Sequence, residues 1–455
     1  METIHEWLDA HKEELTETLT SWLAIPSVKA PAEDGAPFGR PAAQMLDKAL
    51  ADCERFGLTV RDFDHFAGDA RMGRLGEDPL AILAHLDVVP AGDGWRTEPF
   101  TPTLLDGRIY ARGTGDDKGP TVAALYAMRA VLETGVKLKR EVRLILGCDE
   151  ESGWADMEHY TACCDMPRTG FSPDADYPVI NTEKGLLHLH VTAPAATDGL
   201  RVFSIDAGTR PNVVPGQAVA YAEGDAALCE RANVLATEMT LPVHAEMADG
   251  RMKLTSTGVN GHAAYPEAAR NAIGQLLLML RALGVTGGLK LLADKVGLSY
   301  DGAHLSIKCS DDVSGPLTCN LGILRYTPET GLYATLDIRY PMLVSGDAII
   351  AAVTAALAPM QLVVDESKAP HHVPESSELV QCLLDAYHEE TGLPKVALAI
   401  GGGTYARCLQ EGVAFGSAFP GDEELAHQAN EYIALDRLYQ NVLIFARAII
   451  KLAAE

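Results

Sequence analysis

Side chains of the kinds that bind metal ions follow the predicted strands in the first part of the sequence. His85 and Asp87 stand two residues apart in HLD, so on a strand both point to the same side. The carboxylates that follow later strands or lie in a loop are Asp116 in RGTGDDKGP, Glu150 and Glu151 in DEESGW, and Asp174 in FSPDAD. Each alone is usually an ordinary packed or surface residue. Their repetition predicts one shared site, because open α/β sheets bind ligands outside the carboxyl ends of their strands.

This cluster of carboxylates also predicts what the site binds. Several carboxylates in one crevice repel each other strongly, because the low dielectric of the crevice screens their charges less than water does. Divalent cations would remove the repulsion. Oxygen and imidazole ligands without thiolates suit Zn²⁺ or Mn²⁺.

The elements that position these side chains alternate between short apolar strands and helices. Strands are predicted at 80–84, 142–147 and 170–173. A helix is predicted at about 120–134, because Pro120 suits its first turn and Gly135 the position after its end. Such alternation is typical of a parallel, doubly wound sheet, and it returns from Glu375 to the C-terminus.

A different pattern occupies the middle of the chain, after Gly185. Strands of alternating polarity, HLHVTA and YATLDIRYP, are separated by long helices at about 268–283 and 347–358, which indicates a ferredoxin-like α+β unit. The 455 residues also exceed a single core, since cores stop growing near ~250–300 residues. The predicted fold class is therefore α/β: a doubly wound, mainly parallel sheet in a discontinuous domain at 1–185 and 376–455, with an inserted α+β domain at 186–375.

The composition excludes several classes of partner. Lys and Arg number 37 against 63 Asp and Glu, a formal net charge of −26 with no basic stretch, so neither nucleic acid nor an anionic membrane is expected as a partner. The acidic start METIHEWLDAHKEEL is not a signal peptide, and no apolar segment is long enough to span a bilayer. The nine cysteines form no C-x-x-C pair, which favours a reduced, cytoplasmic location over a disulfide framework.

A series of motifs resembles one enzyme family. In chain order these are HLDVVPAGDGW, RGTGDDKGP, DEESGW, SPDADYPVINTEKG, RPNVVPG, LDIRYP, HHVPESSELV, GGGTYAR and AHQANEY. They resemble the PepV-type dipeptidases, within the dinuclear zinc metallopeptidase family that includes acetylornithine deacetylase, succinyl-diaminopimelate desuccinylase, carboxypeptidase G and carnosinase. The segments HHVP and GGGTYAR favour the dipeptidase branch.

The resemblance implies a centre with two divalent metal ions, with zinc expected first and manganese or cobalt as alternatives. The implied ligands are Asp116 as the bridge, His85 and Asp174 for one ion, and Glu151 and His427 for the other. Family members also have a cis peptide bond after the bridging aspartate, here Asp116–Asp117. The insertion, which separates His427 from the earlier ligands, would be a lid over a catalytic domain.

The reaction implied by the resemblance is hydrolysis of unblocked dipeptides by a hydroxide that bridges the two metals. Three ligand carboxylates carry −3 against +4 for two ions, which favours such a hydroxide, and zinc can lower the pKa of bound water to ~7. Glu150 would be the general base that takes the proton and passes it to the leaving amine. Asp87 would hold His85 through the second ring nitrogen of the imidazole.

The resemblance also implies substrate contacts from the lid and a glycine-rich turn. His262 in GVNGHAAYP would stabilise the oxyanion of the tetrahedral intermediate. Arg339 in LDIRYP would bind the free carboxylate of the substrate as a fork, and Asn212 would bind the same end. Backbone amides that approach the substrate closely would come from Gly401, Gly402 and Gly403.

Two other functions are alternatives to a dipeptidase. An amidase that removes an acyl group from an N-acyl amino acid would use the same metal centre without requiring a free amine on its substrate. A non-catalytic family member would only bind small ligands, although the intact Glu150 favours an enzyme. The insertion of about 190 residues favours a monomer, since PepV-like relatives with enlarged lids resemble monomers; a dimer is the alternative.

Overall fold

The computed structural model describes residues 1–455 of the chain. Its α-helices are α1 (Glu2–Leu23), α2 (Arg40–Arg55), α3 (Lys118–Glu133), α4 (Ala155–Cys163), α5 (Ala226–Glu238), α6 (Ala272–Ala282), α7 (Gly287–Lys295), α8 (Gly346–Ala356), α9 (Glu378–Thr391) and α10 (Leu435–Ala453). None of these helices combines the length and the apolar character needed to cross a bilayer.

The strands form three groups along the chain. The first group is β1 (Thr59–Phe63), β2 (Ala67–Gly73), β3 (Leu80–His85), β4 (Thr103–Leu105), β5 (Arg108–Tyr110), β6 (Glu141–Gly147), β7 (Thr169–Ser172), β8 (Ala175–Asp176) and β9 (Val179–Glu183). The second is β10 (Gly185–Ala193), β11 (Val202–Ala207), β12 (Val213–Val214), β13 (Gln217–Ala222), β14 (Val243–Ala248), β15 (Arg251–Thr257), β16 (Gly261–His262), β17 (Ser310–Asp311), β18 (Gly315–Pro316), β19 (Thr318–Thr327), β20 (Gly331–Tyr340) and β21 (Gln361–Lys368). The third is β22 (His371–His372), β23 (Ala397–Ile400), β24 (Glu411–Ala414), β25 (Ser417–Ala418) and β26 (Tyr432–Ala434).

The chain divides into two compact units. Unit 1 comprises Met1–Asn181, His372–Leu398 and Gly403–Glu455, and unit 2 comprises Thr182–His371 and Ala399–Gly402. That unit 1 acts as a catalytic domain and unit 2 as a lid stays a prediction.

Unit 1 is built on a nine-stranded sheet with the order β1-β2-β6-β3-β7-β24-β9-β22, and β23 pairs with β9. The central strands β6, β3, β7 and β24 run parallel to their neighbours within this group, whereas β1 and β2 are antiparallel. Because β3 and β6 are parallel and His85 pairs with Gly147, the residues that follow both strands emerge at the same edge. The doubly wound, mainly parallel class predicted for this part of the chain is confirmed.

Helix α3 shows how the sequence builds the core of unit 1. The helix is buried along most of its length, including Val122, Leu125 and Met128, because it contacts both α1 and α10. Its sequence, rich in Ala and Val with few charges, suits a helix that faces protein on nearly every side. Gly135, with φ of +74°, follows its end as predicted.

Unit 2 is an α+β unit with a separate apolar core. Its eight-stranded antiparallel sheet has the order β14-β15-β13-β11-β19-β20-β10-β21. Helix α6 packs on this sheet through Ile273, Leu276 and Leu280, which are fully buried. The α+β class predicted for the insertion is therefore confirmed, and the helices predicted at 268–283 and 347–358 are α6 and α8.

Candidate metal centre

The carboxylate of Asp116 lies between two imidazoles in unit 1. Its Oδ1 is 2.9 Å from Nε2 of His85, and its Oδ2 is 3.0 Å from Nε2 of His427. His85 is the last residue of β3, Asp116 precedes α3, and His427 lies in the loop between β25 and β26. The two oxygens of one side chain thus face two different ring nitrogens, which is the arrangement expected of a carboxylate that bridges two cations.

Other predicted ligands surround this carboxylate. Glu151 Oε1 is 2.9 Å from His427 Nε2, and Asp174 Oδ2 is 3.7 Å from His85 Nε2. Ligand atoms lie within 4.8 Å of one another in two triads, His85–Asp116–Glu151 and His85–Glu150–Asp174. The structure therefore brings all five predicted ligands together with Glu150, while the assignment of ligands to individual ions stays a prediction.

The protonation of this cluster shows how well it fits cations. Burial lowers the pKa of His85, but the carboxylates of Asp116 and Asp174 more than offset this effect and raise it well above its usual value. The pKa of His427 likewise rises to about 11, because Asp116 and Glu151 outweigh burial. Burial raises the pKa of Asp116, but the two imidazoles against its oxygens outweigh this effect and hold it far below its usual value. In the metal-free protein, protons on imidazole thus supply the positive charge that divalent ions would supply to neutral imidazoles.

A buried nitrogen gives a second test of fit. Nε2 of His85 is buried and has no well-aligned hydrogen-bond partner, although Asp116 is 2.9 Å away. Nδ1 of the same ring is satisfied by the carbonyl oxygen of Asp87 at 3.0 Å. A ring held by one nitrogen and unsatisfied at the other fits a metal ligand, so the residues present suit divalent ions.

Asp87 joins the end of β3 to the turn that carries both glutamates. Its Oδ1 and Oδ2 accept hydrogen bonds from the backbone amides of Glu150 and Glu151, both at 3.1 Å. Oδ1 also lies 3.4 Å from Nδ1 of His85. Asp87 therefore orients the turn of the two glutamates through its carboxylate and the His85 ring through its carbonyl oxygen. The peptide bond between Asp116 and Asp117 is cis, as the resemblance implies.

Comparison with known proteins identifies the family. A model of the peptidase family M20/M25/M40 matches residues 81–451. The chain belongs to peptidase family M20. A Bacillus subtilis (strain 168) relative named "Putative dipeptidase YtjP" is 38% identical over 456 residues, which cover 97% of this chain and 98% of the relative.

Solved structures establish that this M20 peptidase has the family fold. Human carnosine dipeptidase 1 has a TM-score of 0.62 at 16% identity, covering 99% of this chain and 98% of the other. The di-peptidase Dug1p of Saccharomyces cerevisiae has a TM-score of 0.60 at 13% identity, with the same coverage. Family membership makes the protein a hydrolase of peptide bonds that uses divalent metal ions and acts on small peptides.

Sequence reasoning missed Glu431, which holds the loop of Asp116 in this M20 peptidase. The side chain is 1% exposed and accepts hydrogen bonds from the amides of Gly115 at 2.7 Å, Gly113 at 3.2 Å and Asp116 at 3.3 Å. Arg112 Nη1 donates to Oε2 of Glu431, the oxygen that also accepts from Gly113, at 2.6 Å. Glu431 follows His427 by four residues in AHQANEY, so its place in that motif was the available signal.

Asp156 is a second missed residue, and it holds the turn before the glutamates. Its Oδ2 accepts hydrogen bonds from the amides of Cys148 at 2.7 Å and Asp149 at 2.9 Å, and from the Tyr405 hydroxyl. At Gly147 an added Cβ would lie 2.5 Å from Oη of Tyr405, so only glycine allows this approach. Burial raises the pKa of Asp156 to about 6. No feature near 156 in the sequence indicated this role.

Two of the predicted substrate contacts in unit 2 lie together on the ribbon formed by β12 and β16. His262 pairs with Val213, and the carbonyl oxygen of Asn212 accepts a hydrogen bond from the amide of Ala263 at 2.9 Å. Nδ1 of His262 accepts from the amide of Ala264 at 3.2 Å. A neutral His262 in this geometry carries its hydrogen on Nε2 and can donate from it, as an oxyanion donor must. The role of the ring stays a prediction.

Arg339 and Gly401 also lie together in unit 2. Nη1 of Arg339 donates to the carbonyl oxygen of Gly401 at 2.9 Å, and both residues are buried. Gly402 belongs to unit 2 as well, whereas Gly403 belongs to unit 1. At Gly401 an added Cβ would lie 2.7 Å from Cβ of Ala264, so the turn packs closely at this point. The contribution of the three glycines to substrate binding stays a prediction.

Proposed function

We propose that this M20 peptidase hydrolyses unblocked dipeptides at a centre of two divalent ions, with zinc expected first and manganese or cobalt as alternatives. The single observation that carries the proposal is the position of Asp116, whose two oxygens face His85 and His427 at 2.9 and 3.0 Å. The proposed ligand set is completed by Glu151 and Asp174, which lie beside the same imidazoles.

The chain's own residues would orient the centre and move the proton. The ions, when bound, supply Lewis acidity and lower the pKa of water. Glu150 is placed beside His85 and Asp174 and is the proposed general base. Burial and the nearby carboxylates of Asp174 and Glu151, opposed by His85, raise its pKa well above the usual value. A carboxylate of this kind can hold the proton taken from water until the leaving amine accepts it.

Further residues enter the proposal from the resemblance and from their local geometry. We assign Asp87 to the orientation of His85, His262 to the oxyanion, and Arg339 to the free carboxylate of the substrate. Asn212 and the glycines at 401–403 would contact the same end of the substrate. The hydrogen bond to Nδ1 of His262 supports its assignment as a donor. We also propose a cytoplasmic monomer, in keeping with nine free thiols and an insertion of about 190 residues.

The test is a substrate panel measured with the protein stripped of metal and then reconstituted with Zn²⁺, Mn²⁺ or Co²⁺ in turn. Leu-Gly, Ala-Ala, β-Ala-His, acetyl-Ala and a tripeptide distinguish the candidate reactions. We expect hydrolysis of the free dipeptides only, in the reconstituted samples only. Hydrolysis of acetyl-Ala without hydrolysis of any dipeptide would instead identify an N-acyl-amino-acid amidase.

A further inference from the structure

The guanidinium of Arg339 is held by a buried carboxylate on its own strand. On β20, Nε and Nη2 of Arg339 donate to Oδ1 and Oδ2 of Asp337, both at 2.7 Å. The bond from Nη1 to the carbonyl oxygen of Gly401 is the third. A guanidinium has five N–H groups, so these bonds leave two for a ligand. The side-on pairing with Asp337 fixes the plane in which those two groups point.

Asp337 in turn contacts a histidine on the neighbouring strand. It is fully buried, and its Oδ2 lies 2.8 Å from Nε2 of His188, its cross-strand partner on β10. Nδ1 of His188 lies 2.8 Å from Oε2 of Glu366 on the next strand, β21. Lys368 Nζ is 3.0 Å from the other oxygen of Glu366. Charges of alternating sign therefore run across three adjacent strands and end at Arg339.

The contacts of His188 require its imidazole to be charged. Both ring nitrogens face carboxylate oxygens at 2.8 Å, and only an imidazolium donates from both. Burial lowers the pKa of His188, but hydrogen bonds to Asp337 and Glu366 outweigh it and raise the pKa to about 9. With His188 charged, the row has three cations and two anions. Its net charge of +1 is what a carboxylate bound at Arg339 would neutralise.

We propose that His188 and Asp337 are positioning residues that hold the Arg339 guanidinium in the orientation and net charge needed to bind the carboxylate of a peptide substrate. The inference rests on the proposed function, in which Arg339 binds that carboxylate. His188 does not touch the substrate in this scheme. It shares Asp337 with Arg339, so that the negative charge of Asp337 is divided between two cations and does not cancel that of the guanidinium alone.

The experiment compares His188→Gln with His190→Gln in the metal-loaded enzyme. His190 is two residues along β10 and pairs with Asp365 at 2.7 Å, outside the row that ends at Arg339. The substrates are Leu-Gly and Leu-Gly amide, which differ only in the terminal carboxylate. We expect His188→Gln to raise the KM for Leu-Gly about tenfold with kcat within about twofold, and to leave the KM for the amide unchanged. His190→Gln should change neither KM.

An Arg339→Ala variant distinguishes a failure of the positioning role of His188 from a failure of the proposed role of Arg339. If Arg339→Ala abolishes the preference for the acid and His188→Gln retains it, the positioning role is wrong and the proposed function stands. If Arg339→Ala also retains the preference, the assignment of Arg339 in the proposed function fails. Equal loss on both substrates in His188→Gln would show a merely structural role and overturn the inference.

A pH profile gives a readout that a structural role would not move. The groups that face His188 are Asp337 and Glu366, with Arg339 and Lys368 behind them. The imidazolium of His188 is retained below about pH 9. Below that pH the KM for Leu-Gly should therefore be lower than the KM for Leu-Gly amide, and this preference for the acid should decline above it. Glu366→Gln changes the partly exposed end of the row, so it tests the same point with little risk to folding. Because Glu366 helps to raise the pKa of His188, this variant should lose the preference for the acid at a lower pH than the wild type. Loss of the preference at an unchanged pH would contradict the inference.

Discussion

Glu150 is the general base of the proposed reaction, and its surroundings suit that role. It lies in the triad with His85 and Asp174, while its backbone amide is held by Asp87. Asp87 thus fixes where the side chain begins without engaging its carboxylate. The carboxylate stays available to receive a proton, and burial raises its pKa so that the proton is retained.

Substitution of Glu150 should separate catalysis from metal binding. We expect Glu150→Gln to lower kcat for Leu-Gly by about 10²–10⁴-fold, because the amide cannot accept the proton. Metal content, measured by mass spectrometry on the reconstituted protein, should equal that of the wild type. Glu158→Gln, an exposed carboxylate on α4, is the control and should retain full activity. A Glu150→Gln enzyme as active as wild type would exclude Glu150 as the base.

At the scale of elements, the centre depends on how two loops are joined. The carboxylate of Glu431 accepts hydrogen bonds from three backbone amides of the 113–116 loop. Glu431 lies on the segment that carries His427. Asn430, on the same segment as His427, connects that segment to another loop, since its Oδ1 accepts a hydrogen bond from the amide of Arg96 at 2.8 Å. The positions of Asp116 and His427 are therefore coupled through backbone hydrogen bonds as well as through direct contact.

Loss of the Glu431 carboxylate should weaken metal binding. We expect Glu431→Gln to raise the Kd for Zn²⁺ about 10–100-fold, because residues that orient metal ligands have effects of this size. Competition with a chelator of known affinity measures the change. Glu141→Gln is the matched control: Glu141 is also buried and accepts from an arginine and a backbone amide, but at the start of β6. Equal weakening in both variants would point to general destabilisation.

Sequence patterns predicted the apolar strands but not the charged ones. The segments predicted at 142–147 and 170–173 correspond to β6 and β7, because continuous apolar runs suit parallel strands buried on both faces. Strand β2 was not predicted, since AGDARMG has two charged residues and no continuous apolar run. It is buried because Asp69 and Arg71 pair with each other, and Tyr160 donates to Asp69 at 2.9 Å. Such pairing is visible only once distant residues are in place.

For the candidate site, too, contacts between residues distant in the chain could not be predicted from the sequence. The H-x-D, D-D-K-G and E-E motifs are short, so spacing alone places their members on one strand end or one loop. The positions of Glu431 and Asp156 depend on the backbone amides that they bind, and backbone amides carry no mark in the sequence. The motifs thus predicted the candidate ligands and Asp87, while Glu431 and Asp156, which hold the loops of the site, required the structure.

At the scale of the whole molecule, the chain leaves and re-enters unit 1 around a separately packed insertion. Unit 2 has its own apolar core, and unit 1 resumes at His372. His427, the last predicted ligand, therefore joins Asp116 only when the separate stretches of unit 1 have come together. We infer that the centre stabilises unit 1 as a whole, because it connects segments more than 300 residues apart in the chain.

The stability of the metal-free and metal-bound proteins should respond oppositely to pH. In the metal-free protein burial and Asp116 raise the pKa of Glu151 to about 7, and that of His427 is about 11. Both values exceed those of the unfolded chain, so the folded state binds more protons, and the free energy of unfolding falls as pH rises from 6 to 9. With metal bound the slope reverses, because coordination requires deprotonated ligands.

Urea unfolding at pH 6, 7, 8 and 9, in chelator and after reconstitution with Zn²⁺, measures both slopes. His427→Gln should flatten the metal-free slope, since one strongly raised pKa is removed, and should abolish the stabilisation by metal. His190→Gln leaves the cluster intact and should retain both slopes. Parallel slopes in the two wild-type samples would mean that protons and cations do not exchange at these residues, and the centre would then lie elsewhere in the molecule.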